Sequence, residues 1–389
     1  MGEGLSGKRG QLLASHPSED RLGDSMSTIR DVARRAGVST MTVSRVINSS
    51  GYSSQETRAR VERAVTELGY VPNVLARHLR SKRTRTVALV LSDLTNPFFT
   101  TIARGVEDVA AAHDFALMFC NTDESESEEI DYLRMLIQRQ IDGVLLVPAS
   151  NSGASLRLLR SHRVPVVVLD RRVQSPLVDE VRSDSEAGAY QLVRHLTDLG
   201  HRRIGMLSGG RNISTAADRV SGYRRALTDA GIPFDEGLVR YEGFGVDGGL
   251  RMARQLLDAS PRPTAFFAAN NFIAFGAIRA LRETNLRVPD DMSLVAFDDL
   301  PEDWLVDPFL TVVEQRAYEM GKQAAELMLE RLAGDGRPKR RSIILPVDFV
   351  VRRSSAPPRS DHRPREISSS SASDPVQLRA ACVKAARPR

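Results

Sequence analysis

Between Gly37 and Asn48 the chain reads Gly-Val-Ser-Thr-Met-Thr-Val-Ser-Arg-Val-Ile-Asn, a spacing that places polar side chains at the start of a short helix. Gly37 can take the positive φ that ends a preceding helix, and Ser39 can cap the next one. Ile29, Val32, Ala33 and Ala36 share one face of the first helix, and Thr40 to Ile47 forms the second after a tight turn. A third helix is expected from a capping box at Ser53 and Glu56, with Val61, Ala64, Val65 and Leu68 turned inward before Gly69. The product is a three-helix unit built around a helix-turn-helix. In such a motif the second helix enters the major groove, so Thr40, Met41 and Arg45 are the candidates for base contact. Arg45 leads them, because a guanidinium can bond guanine in bidentate fashion. Thr42, Ser44 and Asn48 are small polar groups placed for phosphate.

A second set of chemistry-bearing residues recurs after short aliphatic runs. Ser92-Asp93-Leu94-Thr95-Asn96-Pro97-Phe98-Phe99 follows Val87–Leu91, Asp170-Arg171-Arg172 follows Pro165–Leu169, Asn270-Asn271 follows Ala265–Ala268, and Asp298-Asp299 follows Ser293–Phe297. Arg219 precedes Gly222 in a helical stretch. Carboxylates, amides and guanidiniums converging from strand ends suit a polyol, and an aromatic face can stack on its ring. Each residue alone serves equally well as a cap or a solvated side chain.

The charge balance supports a polyanionic partner for the first set. The net charge of the 389-residue chain is only +5, but residues 27–85 hold twelve Lys or Arg against four Asp or Glu, a local excess suited to nucleic acid. Hydrophobic residues at 41% and charged residues at 26% describe a globular chain rather than a disordered or fibrous one. No apolar run approaches the ~18 residues of a membrane span, and the polar N-terminus lacks a signal-peptide pattern, so the expected location is cytoplasmic. Cys120 and Cys382 suggest neither a disulfide nor a metal site. No Walker sequence, nucleophile elbow or metal-ligand spacing occurs; His162, His195 and His201 lack partners at ligand spacing. The expectation is a protein that is not an enzyme, with no cofactor and no metal.

Organisation follows from composition. Residues 1–26 are a Gly- and Ser-rich extension and 27–71 the helix-turn-helix domain; 72–85 are a linker in which Pro72-Asn73 can start a helix with Ala76 and Leu79 on one face. From 86 to 353 β-branched runs alternate with amphipathic stretches, the rhythm of parallel βαβ units, over a length that fits two α/β lobes with a cleft between them. Helices are expected at Thr100–His113, Glu126–Arg139, Glu186–Leu199, Ala216–Ala230, Gly248–Leu257 and Phe272–Thr284. Residues 354–389 are rich in Pro, Ser and Arg and are expected to be a disordered basic tail.

The stretch from Thr28-Ile29-Arg30-Asp31-Val32-Ala33 through Gly37-Val38-Ser39 and Thr42-Val43-Ser44-Arg45-Val46-Ile47-Asn48 to Leu68-Gly69-Tyr70-Val71-Pro72-Asn73 and Ala76-Arg77 resembles the DNA-binding head of the lac repressor (LacI/GalR) family. The resemblance continues to about Arg353. It implies an α/β fold in which a helix-turn-helix head and a hinge helix precede a two-lobed core like the periplasmic sugar-binding proteins. It implies a regulator, expected to repress, that binds a pseudo-palindromic double-stranded DNA operator as a homodimer. Thr28 and Ser39 join the DNA-contact set, as do Asn73, Ala76 and Arg77, and Leu79 becomes a minor-groove wedge. The matching effector positions are Asp93, Asn96, Phe98, Asp170, Arg171, Arg219, Phe244, Asn270, Asp298 and Gln315, suited to a sugar or nucleoside. The family usually carries Asn-Asp where this chain has Asn270-Asn271, a change that alters helix capping or removes an acceptor near the ligand. A transport-linked sugar-binding protein is the alternative, and an α/β enzyme such as a sugar kinase a further one. The tail offers no heptads for a tetramer.

Overall fold

A computed structural model describes residues 27–48, 50–71, 83–173, 178–300, 307–334 and 340–359. The chain divides into two compact units near Thr84.

The first unit holds α1 (Ile29–Ala36), α2 (Thr40–Ile47) and α3 (Gln55–Glu67). Thr28 and Asp31 cap α1 reciprocally: the Thr28 hydroxyl accepts from Asp31 N, and Asp31 accepts from Thr28 N at 3.0 Å. Gly37 closes the helix at φ +64°, in the left-handed region that any other residue enters with strain. Arg60 fastens the turn, donating through Nη2 to Ala36 O at 2.6 Å and Gly37 O at 3.0 Å. Ser39 Oγ accepts from Thr42 N at 3.1 Å and starts α2. The third helix departs from expectation by one residue, since its cap is Ser54, which accepts from Thr57 N at 3.2 Å. Ser53 Oγ is buried with no hydrogen-bond partner. Val32, Ala33, Ala36, Val43, Val46, Val61 and Ala64 make the small core. With so little apolar area, each cap matters. Ser39→Ala should cost about 1 kcal/mol, seen as roughly fivefold faster hydrogen exchange of the α2 amides in the intact chain; unchanged exchange would contradict this role.

The second unit runs β1 (Thr86–Leu91), α4 (Pro97–Ala112), β2 (Ala116–Asn121), α5 (Glu126–Gln138), β3 (Gly143–Leu146), α6 (Ala154–Ser161), β4 (Val166–Leu169) and β5 (Asp179–Ser183). It continues through α7 (Ser185–Asp198), β6 (Ile204–Ser208), α8 (Ser214–Asp229), β7 (Val239–Tyr241), α9 (Val246–Leu257), β8 (Ala265–Ala268), α10 (Asn271–Glu283) and β9 (Ser293–Phe297). The closing elements are β10 (Thr311–Gln315), α11 (Ala317–Ala333), β11 (Ser342–Leu345) and β12 (Val347–Val350).

Two six-stranded sheets result, in the orders β11-β5-β4-β3-β1-β2 and β12-β10-β9-β8-β6-β7. All pairings are parallel except β10 with β12. Central strands such as Val87–Leu91 and Ala265–Ala268 are buried along their length, as strands covered by helices on both faces must be. In each sheet the first strand has its successor on one side and the third strand on the other, which opens a crevice at their carboxyl ends. The chain passes between lobes after β5, after β10 and between β11 and β12. α11 packs on α4 at backbone contact: a Cβ on Gly105 would lie 2.2 Å from Tyr318 O, and one on Gly321 2.1 Å from Ile102 O.

Beyond the expected boundary at 353, residues 354–359 lie against the second lobe. Thr311 N donates to Ser354 Oγ at 2.7 Å and Leu294 N to Ser354 O at 2.8 Å. His201 sits beneath them, its Nε2 2.9 Å from Ala356 O and its Nδ1 2.8 Å from Thr264 Oγ1, a satisfied core histidine whose pKa burial pushes down.

Candidate functional site

The carboxyl ends of both sheets enclose a cavity of about 70 Å³. The ten effector positions matched by resemblance line it: Asp93, Asn96 and Phe98 from the β1–α4 connection, Asp170 and Arg171 after β4, Arg219 in α8, Phe244 before α9, Asn270 after β8, Asp298 after β9 and Gln315 at the end of β10. Arg172, Asn271 and Asp299 at the same strand ends are not among the lining residues. Phe99, Glu124, Thr215 and Gly245 line it too. The signal for Glu124 was its position after the aliphatic run of β2, and for Thr215 its place one turn before Arg219. Asp170 and Asp298 adopt left-handed φ values of +62° and +64°, and Glu124 one of +60°. Such conformations cost about 1–3 kcal/mol each and gather where side chains must be aimed.

The buried arginines are held differently. Arg171 Nη2 donates to Glu124 Oε1 at 2.5 Å and Nη1 to Glu124 Oε2 at 2.7 Å. Arg219 donates to Ala269 O, and its guanidinium lies 3.8 Å from the centroid of the Phe297 ring. Asp298 accepts from Gln315 Nε2 at 2.6 Å. Burial pushes the Asp298 carboxyl up to about 6, with Arg219 pulling the other way, and burial raises Asp170 likewise. Among the described residues, four buried atoms of the lining side chains have no hydrogen-bond partner: Asp170 Oδ1, Gln315 Oε1, Arg171 Nε and Arg219 Nε. Leaving such a group unmet costs about 1–3 kcal/mol. Two acceptors beside two donors match hydroxyl groups, which do both.

Two clasps join the lobes beside the cavity. Arg172 N donates to Ser214 Oγ at 2.7 Å, and Arg172 Nε to Asp218 Oδ2 at 3.2 Å. Asn96 Nδ2 donates to Asn271 Oδ1 at 3.1 Å, and Asn271 Nδ2 returns to Asn96 Oδ1 at 3.3 Å. Asn270 caps α10, accepting from Ile273 N at 2.8 Å. Asn271 is therefore neither the cap nor part of the cavity wall; it ties one lobe to the other.

In the first unit Thr40, Met41 and Arg45 stand exposed on α2, with Arg45 Nη2 3.7 Å from Met41 Sδ. Thr42 and Ser44 are partly buried, and Asn48 Nδ2 donates to Ser44 O at 2.8 Å. Thr28 and Ser39 are the helix caps, so their hydroxyls are engaged with backbone N–H groups at the amino ends of α1 and α2. Asn73, Ala76, Arg77 and Leu79 lie outside the described residues.

Comparison with known proteins agrees with this division. Residues 28–73 match the bacterial regulatory proteins of the lacI family, and residues 84–353 match the periplasmic binding proteins and sugar-binding domain of the LacI family. The transcriptional repressor PurR of Photobacterium profundum is 35% identical over 330 residues, covering 85% of this chain and 98% of PurR. A structure of the lac repressor dimer bound to operator and the anti-inducer ONPF matches with a TM-score of 0.76 and 27% identity, covering 85% of this chain and all of that one. The transcriptional regulator CelR in complex with cellobiose matches at 0.65 and 35% identity, with the same coverage. The DNA-binding head sets the chain apart from a transport-linked binding protein, and no helix among the described residues is long and apolar enough to cross a membrane. The chain belongs to the LacI family of DNA-binding transcriptional regulators, controlled by a small-molecule effector.

Proposed function

We propose that this protein is a cytoplasmic repressor that binds a pseudo-palindromic operator as a homodimer and is controlled by an uncharged sugar or nucleoside held in the interlobe cavity. Thr40, Met41 and Arg45 read bases, and Thr28, Ser39, Thr42, Ser44 and Asn48 meet phosphates. Asn73, Ala76, Arg77 and Leu79 belong to the hinge by resemblance. The observation that carries the effector assignment is the unmet set of two donors and two acceptors on buried side chains of the lining residues. The cellobiose bound to CelR and the operator-bound lac repressor dimer favour the same reading. The ligand acts by binding one arrangement of the lobes better than the other, and a differential affinity of about 1–3 kcal/mol gives useful coupling to DNA.

Titration of operator-bound protein with pentoses, hexoses, disaccharides and nucleosides tests this. One class should shift operator affinity by roughly 5- to 150-fold; a full panel without effect contradicts the reading. Asp298 gives the active ligand a pH signature. Its folded pKa of about 6 lies above the ordinary 3.8, so the charged form strains the fold above pH 6, and that penalty is relieved as pH falls from 6 towards 4. Hydroxyl donors bind the ionised carboxylate, so ligand affinity should fall about tenfold per unit of pH below 6. Asp298→Asn should flatten that profile, and an unchanged profile would remove Asp298 from the ligand contacts.

A further inference from the structure

Among the described residues the cavity walls hold four carboxylates, Asp93, Glu124, Asp170 and Asp298, against two guanidiniums, Arg171 and Arg219. A buried arginine in a ligand cavity is ordinarily a receptor for carboxylate or phosphate, because its planar fork meets two oxygens at once. Arg171 is already engaged in that way. Glu124 takes both terminal nitrogens, at 2.5 and 2.7 Å, while Nη1 also donates to Pro148 O at 2.7 Å and Nη2 to Ser92 Oγ at 3.3 Å. The remaining Nε has no hydrogen-bond partner and lies 3.8 Å from Asp170 Oδ2. The Arg171 side chain is 3% exposed and that of Glu124 29%, so the carboxylate covers the guanidinium.

The backbone fixes this cover. Glu124 has a φ of +60°, a region glutamate seldom occupies, and Asp123 before it has one of +47°. Glu124 N donates to Ser92 O at 3.2 Å, which pins the strained pair to the β1 connection that also carries Asp93 and Asn96. Strain of this kind persists where surrounding contacts impose it, and here it aims one carboxylate at one guanidinium.

We propose that Glu124 sets the charge class of the ligand: by occupying the fork of Arg171 it denies that arginine to anions and restricts the cavity to uncharged or cationic molecules. The inference rests on reading this cavity as the ligand site. An anion entering the wild-type cavity must displace Glu124 and leave its carboxylate near Asp170. Without the Glu124 charge, Arg171 becomes an anion receptor facing the cavity.

The test is calorimetric titration of the full-length protein with inorganic phosphate and with D-ribose 5-phosphate, in wild type, Glu124→Gln, and the double variant that adds Arg171→Gln. The double variant separates the cavity from phosphate binding at the basic head. Glu124→Gln should bind both probes about tenfold more tightly than wild type, and the double variant should lose the gain. Equal binding by wild type and Glu124→Gln overturns the proposal, as does a gain that survives loss of Arg171. If Glu124→Gln fails to melt cooperatively, Glu124→Ala is measured against the same two outcomes. Operator affinity is measured separately. A gain in phosphate binding with no ligand able to shift operator affinity would leave the charge filter standing and sink the effector reading; operator release of wild type by the phosphorylated sugar would do the reverse.

Discussion

Replacing Arg45 by alanine should weaken binding to the cognate operator by about 1–3 kcal/mol, roughly 5- to 150-fold, and relax the preference at one base pair per half-site. The expectation follows from position. Arg45 stands exposed on α2, with Met41 one turn before it, and α2 is aimed by the Ser39 cap and the left-handed Gly37 turn. A guanidinium reading guanine loses its bidentate contact only at that base, so operators altered at that pair should bind the variant and wild type alike. A phosphate contact behaves differently: its removal weakens all sequences evenly and lowers the salt slope by about one. Fluorescence anisotropy with matched operators at fixed and varied salt separates the two, and unchanged affinity would remove Arg45 from the DNA surface.

Arg219→Ala should abolish the effector response. Its guanidinium is buried, held by Ala269 O and the face of Phe297, its Nε has no hydrogen-bond partner among the described residues, and the residue lines the cavity. Its charge also opposes the rise that burial imposes on Asp298 and Asp170. Truncation removes donors from the ligand and leaves both carboxylates without that counter-charge. A hydrogen bond to a charged group contributes about 1.5–3 kcal/mol, so ligand affinity should drop roughly 10- to 150-fold and the operator shift should vanish at concentrations that saturate wild type. The check is operator affinity across a ligand titration, with a thermal melt of the same sample; a folded variant responding at the wild-type concentrations would exclude Arg219 from the site.

The chemistry-bearing residues were more legible than the elements between them. Runs such as Val87–Leu91 and Ser293–Phe297 announce buried parallel strands by composition, and the polar residues after them then fall at one end of each sheet, which is why they share one cavity. β5 is not evident in the sequence because Asp-Glu-Val-Arg-Ser does not read as a strand; its charges are met only in the folded chain, Asp179 by Arg331 at 2.7 Å and Glu180 by Ser342 at 2.7 Å. β7, β11 and β12 are edge strands of three or four residues, too short to show alternation. α11 is rich in helix formers and buries Met320, Leu327 and Met328 along one face, but its close contact with α4 runs through Gly105 and Gly321, whose role shows only in the folded chain. The Ser53 and Glu56 pair has the residue types of a capping box, but the cap is its neighbour Ser54, which accepts from Thr57 N without a reciprocal carboxylate. Glu124 follows the run of β2 as the other site residues follow theirs, but the left-handed φ at this residue has no signature in the sequence.

On this reading, one chain couples a sequence-reading head to a small-molecule cavity. Selection of genomic DNA fragments on the purified full-length protein at near-physiological salt, followed by footprinting with and without the active sugar or nucleoside, tests it most directly. The expected result is an enriched pseudo-palindrome with two protected major-groove half-sites flanking a distorted centre, and a footprint that changes when the ligand is added. Failure to enrich any sequence, with and without ligand, or a footprint indifferent to every ligand that binds the cavity, would contradict it.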